Sequence, residues 1–142
     1  MDWQPYLKAS WEIVMAAQGQ VQKHLDEELE SYLVHMMARN FRNPHLPPDI
    51  VCLEFIKARH AQDYRHIGDA CLFVDAWQIR RARLVSNDYY YRMGQIAYGQ
   101  AAVASRPFDT LLDRVAKEFK LLSQVLAGVR ELGRSVNLGC PI

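Results

Sequence analysis

Apolar residues along this chain recur at spacings of three and four with polar residues between them, and no stretch alternates with period two for long. That rhythm belongs to helices buried on one side, so an all-α fold is expected. Gly and Pro fall more often between the periodic segments than within them, and they divide the chain into about six helices. The first starts at Pro5, a favoured first helical position, and carries Tyr6, Trp11, Val14 and Met15 to the region of Gly19. Asp26 is expected to cap the second, with Glu27 and Glu28 in its first turn, where the helix dipole favours negative charge. This helix runs to about Asn40. The loop FRNPHLPPD ends it, because the residue before each of Pro44, Pro47 and Pro48 is pushed out of helical geometry.

A third helix runs from Pro48 or Asp49 through Ile50, Leu53 and Ile56 to about Arg59. The fourth is HAQDYRHIGDACLFVDAW, His60 to Trp77, which decays in QIRRARL. Ser86 or Asn87 caps a fifth over Asp88 to about Ala104, broken by SRP. The last, from Phe108 or Asp109, places apolar residues at 111, 112, 115, 119, 122, 125, 126 and 129, with Gly133 as its expected C-cap. The tail SVNLGCPI reads as irregular. A chain of 142 residues buries about 70% of the surface its unfolded form exposes. One helical domain over residues 1–135 is therefore expected, with residues 136–142 as a tail.

The fourth helix carries the densest set of chemistry-bearing residues, spaced His60-x-x-Asp63-x-x-His66-x-x-Asp69. A step of three residues falls short of a full turn by about 60°, so the four fan around the axis and cannot meet at one ion. Metal sites need three or four ligands, and a carboxylate-bridged bundle wants an acid-x-x-His on two helices, whereas Asp63-x-x-His66 is the only one in this chain. No metal and no cofactor is expected. With Tyr64 at zero on the helical wheel, Arg65, Asp69, Ala76 and Arg80 fall on a strip from about 100° to 160°, the expected wet side. Ile67, Ala70, Cys71, Phe73, Val74 and Trp77 cover the remainder down to Tyr64, wide enough to put this helix in the middle of the bundle. Asp69 then reads as an exposed or half-exposed carboxylate paired with Arg65 one turn back, and that reading is preferred to a catalytic one. Asp75 falls on the apolar side, where an unpaired charge is too costly to persist, so the helix is expected to end before it.

On the fifth helix Tyr90, Gly94, Ala97 and Ala101 share one narrow arc. Small side chains there admit another helix while tyrosines frame the groove, and packing is preferred to a tyrosine-lined pocket. On the second helix Glu28, Tyr32, His35 and Arg39 form a stripe beside Leu29, Leu33, Met36 and Met37. His35 there reads as a satisfied boundary residue before it reads as a proton-transfer group. No phosphate-binding loop, dinucleotide fingerprint, HExxH or nucleophile elbow occurs.

Composition narrows the functional classes. Seventeen Lys and Arg against sixteen Asp and Glu leave a formal charge of +1, so no global field steers the chain onto nucleic acid or an anionic membrane. Arg80, Arg81 and Arg83 form the one basic cluster of note, and without a basic face or a recognisable reading module a nucleic-acid role is not favoured. Cys52, Cys71 and Cys140, odd in number and widely spaced, make a poor disulfide framework and point to a reducing compartment. The first residues lack the pattern of a signal peptide and no run is long enough to span a membrane, so the cytoplasm is the expected location.

The blocks Tyr32-Leu33-Val34-His35, then Ile67-Gly68-Asp69 with Leu72-Phe73, then Asp88-Tyr89-Tyr90 with Gly94 and Ala97-Tyr98 resemble, in that order, an uncharacterised family of small bacterial helical proteins. The resemblance covers about residues 26–104. It implies bacterial origin and a helical fold and supplies no activity. The chain departs from that family in carrying Val74-Asp75-Ala76-Trp77 where a Gly-aromatic-Pro ending is expected. The leading expectation is a non-enzymatic helical module acting through protein contacts, chiefly with itself, motivated by aromatics such as Trp3, Trp11 and the tyrosine run. The alternative is a small-molecule binder or enzyme with a pocket among His35, Tyr64, His66, Asp69, Tyr90 and Tyr98.

Overall fold

The computed structural model describes residues 4–42, 51–77 and 87–136. These residues are helical and carry no strand, as the spacing of apolar positions predicts. The helices are α1 (Gln4–Val21), α2 (Glu27–Arg42), α3 (Val51–Lys57), α4 (Ala61–Trp77), α5 (Asn87–Ala104), α6 (Thr110–Lys117) and α7 (Phe119–Val136). The chain divides into two compact units. One comprises Met1–His45 and Leu121–Ile142, the other Leu46–Lys120.

In the first unit α1, α2 and most of α7 share an apolar core. Val14 and Ala17 of α1, Leu29, Leu33, Met36 and Met37 of α2, and Leu122, Val125, Leu126 and Val129 of α7 are all buried. Gly128 lets α7 come close to α1, since a Cβ there would lie 2.7 Å from Val21 Cγ1. The α1–α2 connection is fixed by its backbone. Lys23 N–H donates to Gln18 O and Gln22 N–H to Gly19 O, the paired bonds of a Schellman end, with Gln22 at φ 56 in the position that favours glycine. Gln18 then bridges the turn from within: its Oε1 accepts from Leu25 N at 2.8 Å and its Nε2 donates to Glu30 Oε2 at 2.6 Å. Asp26 caps α2 as expected, its Oδ1 accepting from Leu29 N.

In the second unit α4 is enclosed on nearly every side over its last three turns, with Ile67 to Asp69, Cys71 to Val74, Ala76 and Trp77 all buried. Its N-terminus is closed by Asp63, which accepts from the amides of Arg59 and His60 at 2.9 and 3.0 Å. Those two backbone bonds hold the Asp63 carboxyl below its ordinary value. An acid in the third helical position reaching back to the capping residue is half of a capping box. α3 and α6 flank the α4–α5 pair: Gln95 of α5 donates to Ala116 O of α6, and Asp109 caps α6 by accepting from Leu112 N.

Three boundaries differ from expectation. α4 runs through Asp75 to Trp77 instead of ending before it, and Asp75 is half-buried, so neither enclosure nor full exposure forces the helix to stop. The long last helix is two, α6 and α7, parted at Glu118, whose φ of −100° and ψ of 21° leave helical geometry for one residue. The apolar spacing of three and four runs straight through that break, so periodicity gives no sign of it. Gly133 lies inside α7 and does not cap it; its backbone stays helical and the helix ends at Val136.

The φ of Gln22 supplies a test. An L side chain in left-handed geometry costs about 1 kcal/mol that glycine avoids. Gln22→Gly should therefore raise unfolding stability by about 0.5–1 kcal/mol, read from the urea midpoint at constant m-value. A lower midpoint would show that the Gln22 side chain holds the turn by a contact of its own.

Candidate functional site

The residues of the sequence-derived candidate site lie on α2, α4 and α5. α4 and α5 form the closest pairing in the second unit. A Cβ at Gly68 would lie 2.7 Å from Tyr98 Cδ1 and 2.9 Å from its Cγ, so the Tyr98 ring rests directly on the α4 backbone. A Cβ at Gly94 would in turn meet the Phe119 ring and stand 3.0 Å from Cys71 Cβ. Residue 68 meets 98 and residue 71 meets 94, so the two helices run antiparallel. The arc Tyr90, Gly94, Ala97 and Ala101 is buried throughout, which is the close-packing use that its small side chains predict.

At this crossing Tyr98 Oη donates to Asp69 Oδ1 at 2.6 Å, with Tyr98 fully buried and Asp69 8% exposed. The expected exposed Asp69 paired with Arg65 is therefore overturned. Arg65 instead lies with its guanidinium 3.4 Å from His66 Nε2. The reason is local. Ala76, on the same supposedly wet strip, is also buried, and the glycine at 68 lets the Tyr98 ring pass close enough over α4 for its hydroxyl to reach Asp69. A buried carboxyl is tolerable only with hydrogen-bond partners, and the phenol supplies one.

Within the second unit, Tyr64, His66 and Tyr90 do not converge on this pair. Tyr64 is half-buried, its ring 5.1 Å from that of Phe55, and it lies about 7 Å along α4 from Asp69. Tyr90 is buried edge-on to Tyr89 and lies about 12 Å along α5 from Tyr98. In an antiparallel pair these displacements place Tyr64 and Tyr90 toward opposite ends. His66 is exposed. His35 belongs to the other unit, on α2, where its Nδ1 lies 2.8 Å from the carbonyl of Ser31, a bond the imidazole makes by donating. Arg80, Arg81 and Arg83 lie outside the described residues.

Next to the pair sits Cys71, wholly buried, with its thiol pushed up to about 12 chiefly by burial and secondarily by the negative charge of Asp75. A thiol so placed stays protonated and is a packing atom, not a nucleophile. Among the described residues no three His, Cys, Asp or Glu side chains gather as a metal site, and no helix is long and apolar enough to cross a membrane. The sequence reading missed Gly68 as the determinant of the crossing. Its signal was present: a glycine inside a helical pattern costs about 1 kcal/mol relative to alanine, and such a cost usually has a packing reason. Comparison of the chain with protein-family models, with curated proteins and with solved structures finds no match.

Two measurements check this geometry. Tyr98→Phe removes only the hydroxyl and should cost about 1–3 kcal/mol by leaving the Asp69 oxygen without that donor. Gly68→Ala forces the ring off the backbone and should cost about as much or more. Urea melts of both read the effect, and an unchanged midpoint for Tyr98→Phe would remove the pair from the fold's support. In a Cys52→Ser, Cys140→Ser background, the single thiol of Cys71 should resist alkylation at pH 8 in native buffer and react at once in denaturant; prompt native labelling would show an open site.

Proposed function

We propose that this chain is a non-enzymatic helical module of the cytoplasm that acts through protein contacts, in the first place with a second copy of itself. The observation that carries the reading is where large apolar side chains remain in water. Trp11 and Met15 stand one turn apart on α1 at 40% and 50% exposure, and α5 leaves Ile96 and Val103 at 50% and 56%. Side chains of this size grouped along helix faces are the usual raw material of protein–protein contact. The interior supports the same reading from the other direction. Asp69 and Tyr98 of the candidate site are engaged with each other inside the α4–α5 pair, Tyr98 fully buried and Asp69 8% exposed.

The pocket alternative has less behind it, because Tyr64, Asp69 and Tyr90 are spread along the helix pair and His66 faces outward. A bacterial source, implied by the resemblance of the YLVH, GD and DYY blocks to an uncharacterised helical family, is part of this proposal.

Size-exclusion chromatography with light scattering tests it. The purified chain should show a molar mass that rises above that of one copy as concentration is raised through the micromolar range. A constant single-copy mass, with no protein co-purifying from the source cell, would sink the reading.

A further inference from the structure

The turn between α1 and α2 hangs on one side-chain amide. Gln18 is 4% exposed, and its Oε1 accepts from Leu25 N–H. That leaves Nε2 as the donor, with two hydrogens to place. One goes to Glu30 Oε2 at 2.6 Å. The other faces the thioether of Met15, with Nε2 and Sδ 3.8 Å apart. A thioether is a weak acceptor, so this second hydrogen of a buried amide is poorly satisfied. Met15 itself is 50% exposed, one turn along α1 from Gln18. The other described methionines are less accessible: Met36 and Met37 are buried and Met93 is half-buried.

We infer that Met15 is a site of reversible oxidation by hydrogen peroxide, and that its sulfoxide tightens the α1–α2 turn through Gln18. A sulfur lone pair attacks one peroxide oxygen, the O–O bond breaks and an S–O bond forms. The proton left on the transferred oxygen passes to the departing hydroxide, which leaves as water. Sulfur is oxidised and the peroxide reduced, by one electron pair. The product carries an oxygen one bond nearer the amide than the sulfur stood, and that oxygen is a full acceptor. A contact of 3.8 Å to sulfur thus leaves room for an N–H···O bond of ordinary length. Rotation about Cγ–Sδ in an exposed side chain aims the oxygen at Gln18. Methionine oxidation loosens a protein where it puts a polar group into a core. Here the sulfur lies between water and a buried donor, so the sign reverses. A methionine sulfoxide reductase restores the thioether, the oxygen leaving as water while a pair of thiols becomes a disulfide.

Dilute hydrogen peroxide on the folded full chain, followed by peptide mass mapping and urea melts, tests the assignment. Met15 should gain oxygen ahead of Met93, Met36 and Met37. The urea midpoint should then rise by about 0.5 M, one neutral hydrogen bond over an ordinary m-value. Met15→Leu, treated in the same way, should show no rise. Met15→Gln puts a carbonyl oxygen where the sulfoxide oxygen stands. It should melt above Met15→Leu without any peroxide, since Leu and Gln are about equal as helix formers. Methionine sulfoxide reductase should return the oxidised chain to its starting midpoint. The wild-type arm decides even if a variant folds poorly: Met15 reacting no sooner than Met36 and Met37, or a midpoint that stays or falls once Met15 is oxidised, overturns the assignment. None of these readings requires the chain to self-associate.

Discussion

Two helices come as close as α4 and α5 do only where a side chain is missing between them, and Gly68 is where it is missing. Without a Cβ at that point the Tyr98 ring lies against the backbone of α4, and from there its hydroxyl reaches Asp69. The same closeness is repeated at Gly94, where Phe119 fills the space and stacks at a tilt between Tyr91 and Tyr98, with ring centroids 5.6 and 6.0 Å away. Each glycine weakens its own helix by about 1 kcal/mol, so the packing gained across the crossing must exceed that. The pieces are coupled in consequence. A methyl at either glycine would displace an aromatic ring that also carries a neighbouring contact, and such contacts do not respond independently.

The crossing also decides what the polar residues of α4 do. His60, Asp63, His66 and Asp69 part three ways: Asp63 closes the helix N-terminus, Asp69 pairs with Tyr98 inside, and His60 and His66 stay at the surface. The rotational step of three residues had already forbidden a common point for them. Enclosure then leaves Asp69 only 8% exposed, beside a fully buried phenol. General acid–base chemistry needs the proton within reach of a substrate atom, and a donor that is fully buried has only the protein to donate to.

Helix existence was legible because burial on one face imposes its period on the sequence, and the caps at Asp26 and Asp109 were legible because their chemistry is local. The inward stripe of α5 was readable for the same reason. What could not be read was which neighbour covers a given strip. The wheel placed Asp69 and Ala76 with Arg65 on one side of α4, and that placement is correct; the inference that this side is wet was not, because periodicity records the average polarity of a face and cannot see a tyrosine brought over it by a glycine. The break at Glu118 was hidden for a related reason. Leu112, Val115, Phe119 and Leu122 keep helical spacing across it, so the same apolar pattern serves one long helix or two consecutive ones.

The run DYY with Gly94 and Ala97-Tyr98 therefore has a physical role in packing. Tyr98 and Gly94 belong to the α4–α5 lock, and so does the Gly68-Asp69 of the preceding block: one supplies the acceptor and the space, the other the ring and the donor. Two blocks separated in sequence that complete a single buried contact are constrained together, as a matter of packing. On α5 the inner and outer faces differ: the inner is filled by α4 and Phe119, while the outer carries no charged side chain between Arg92 and Arg106.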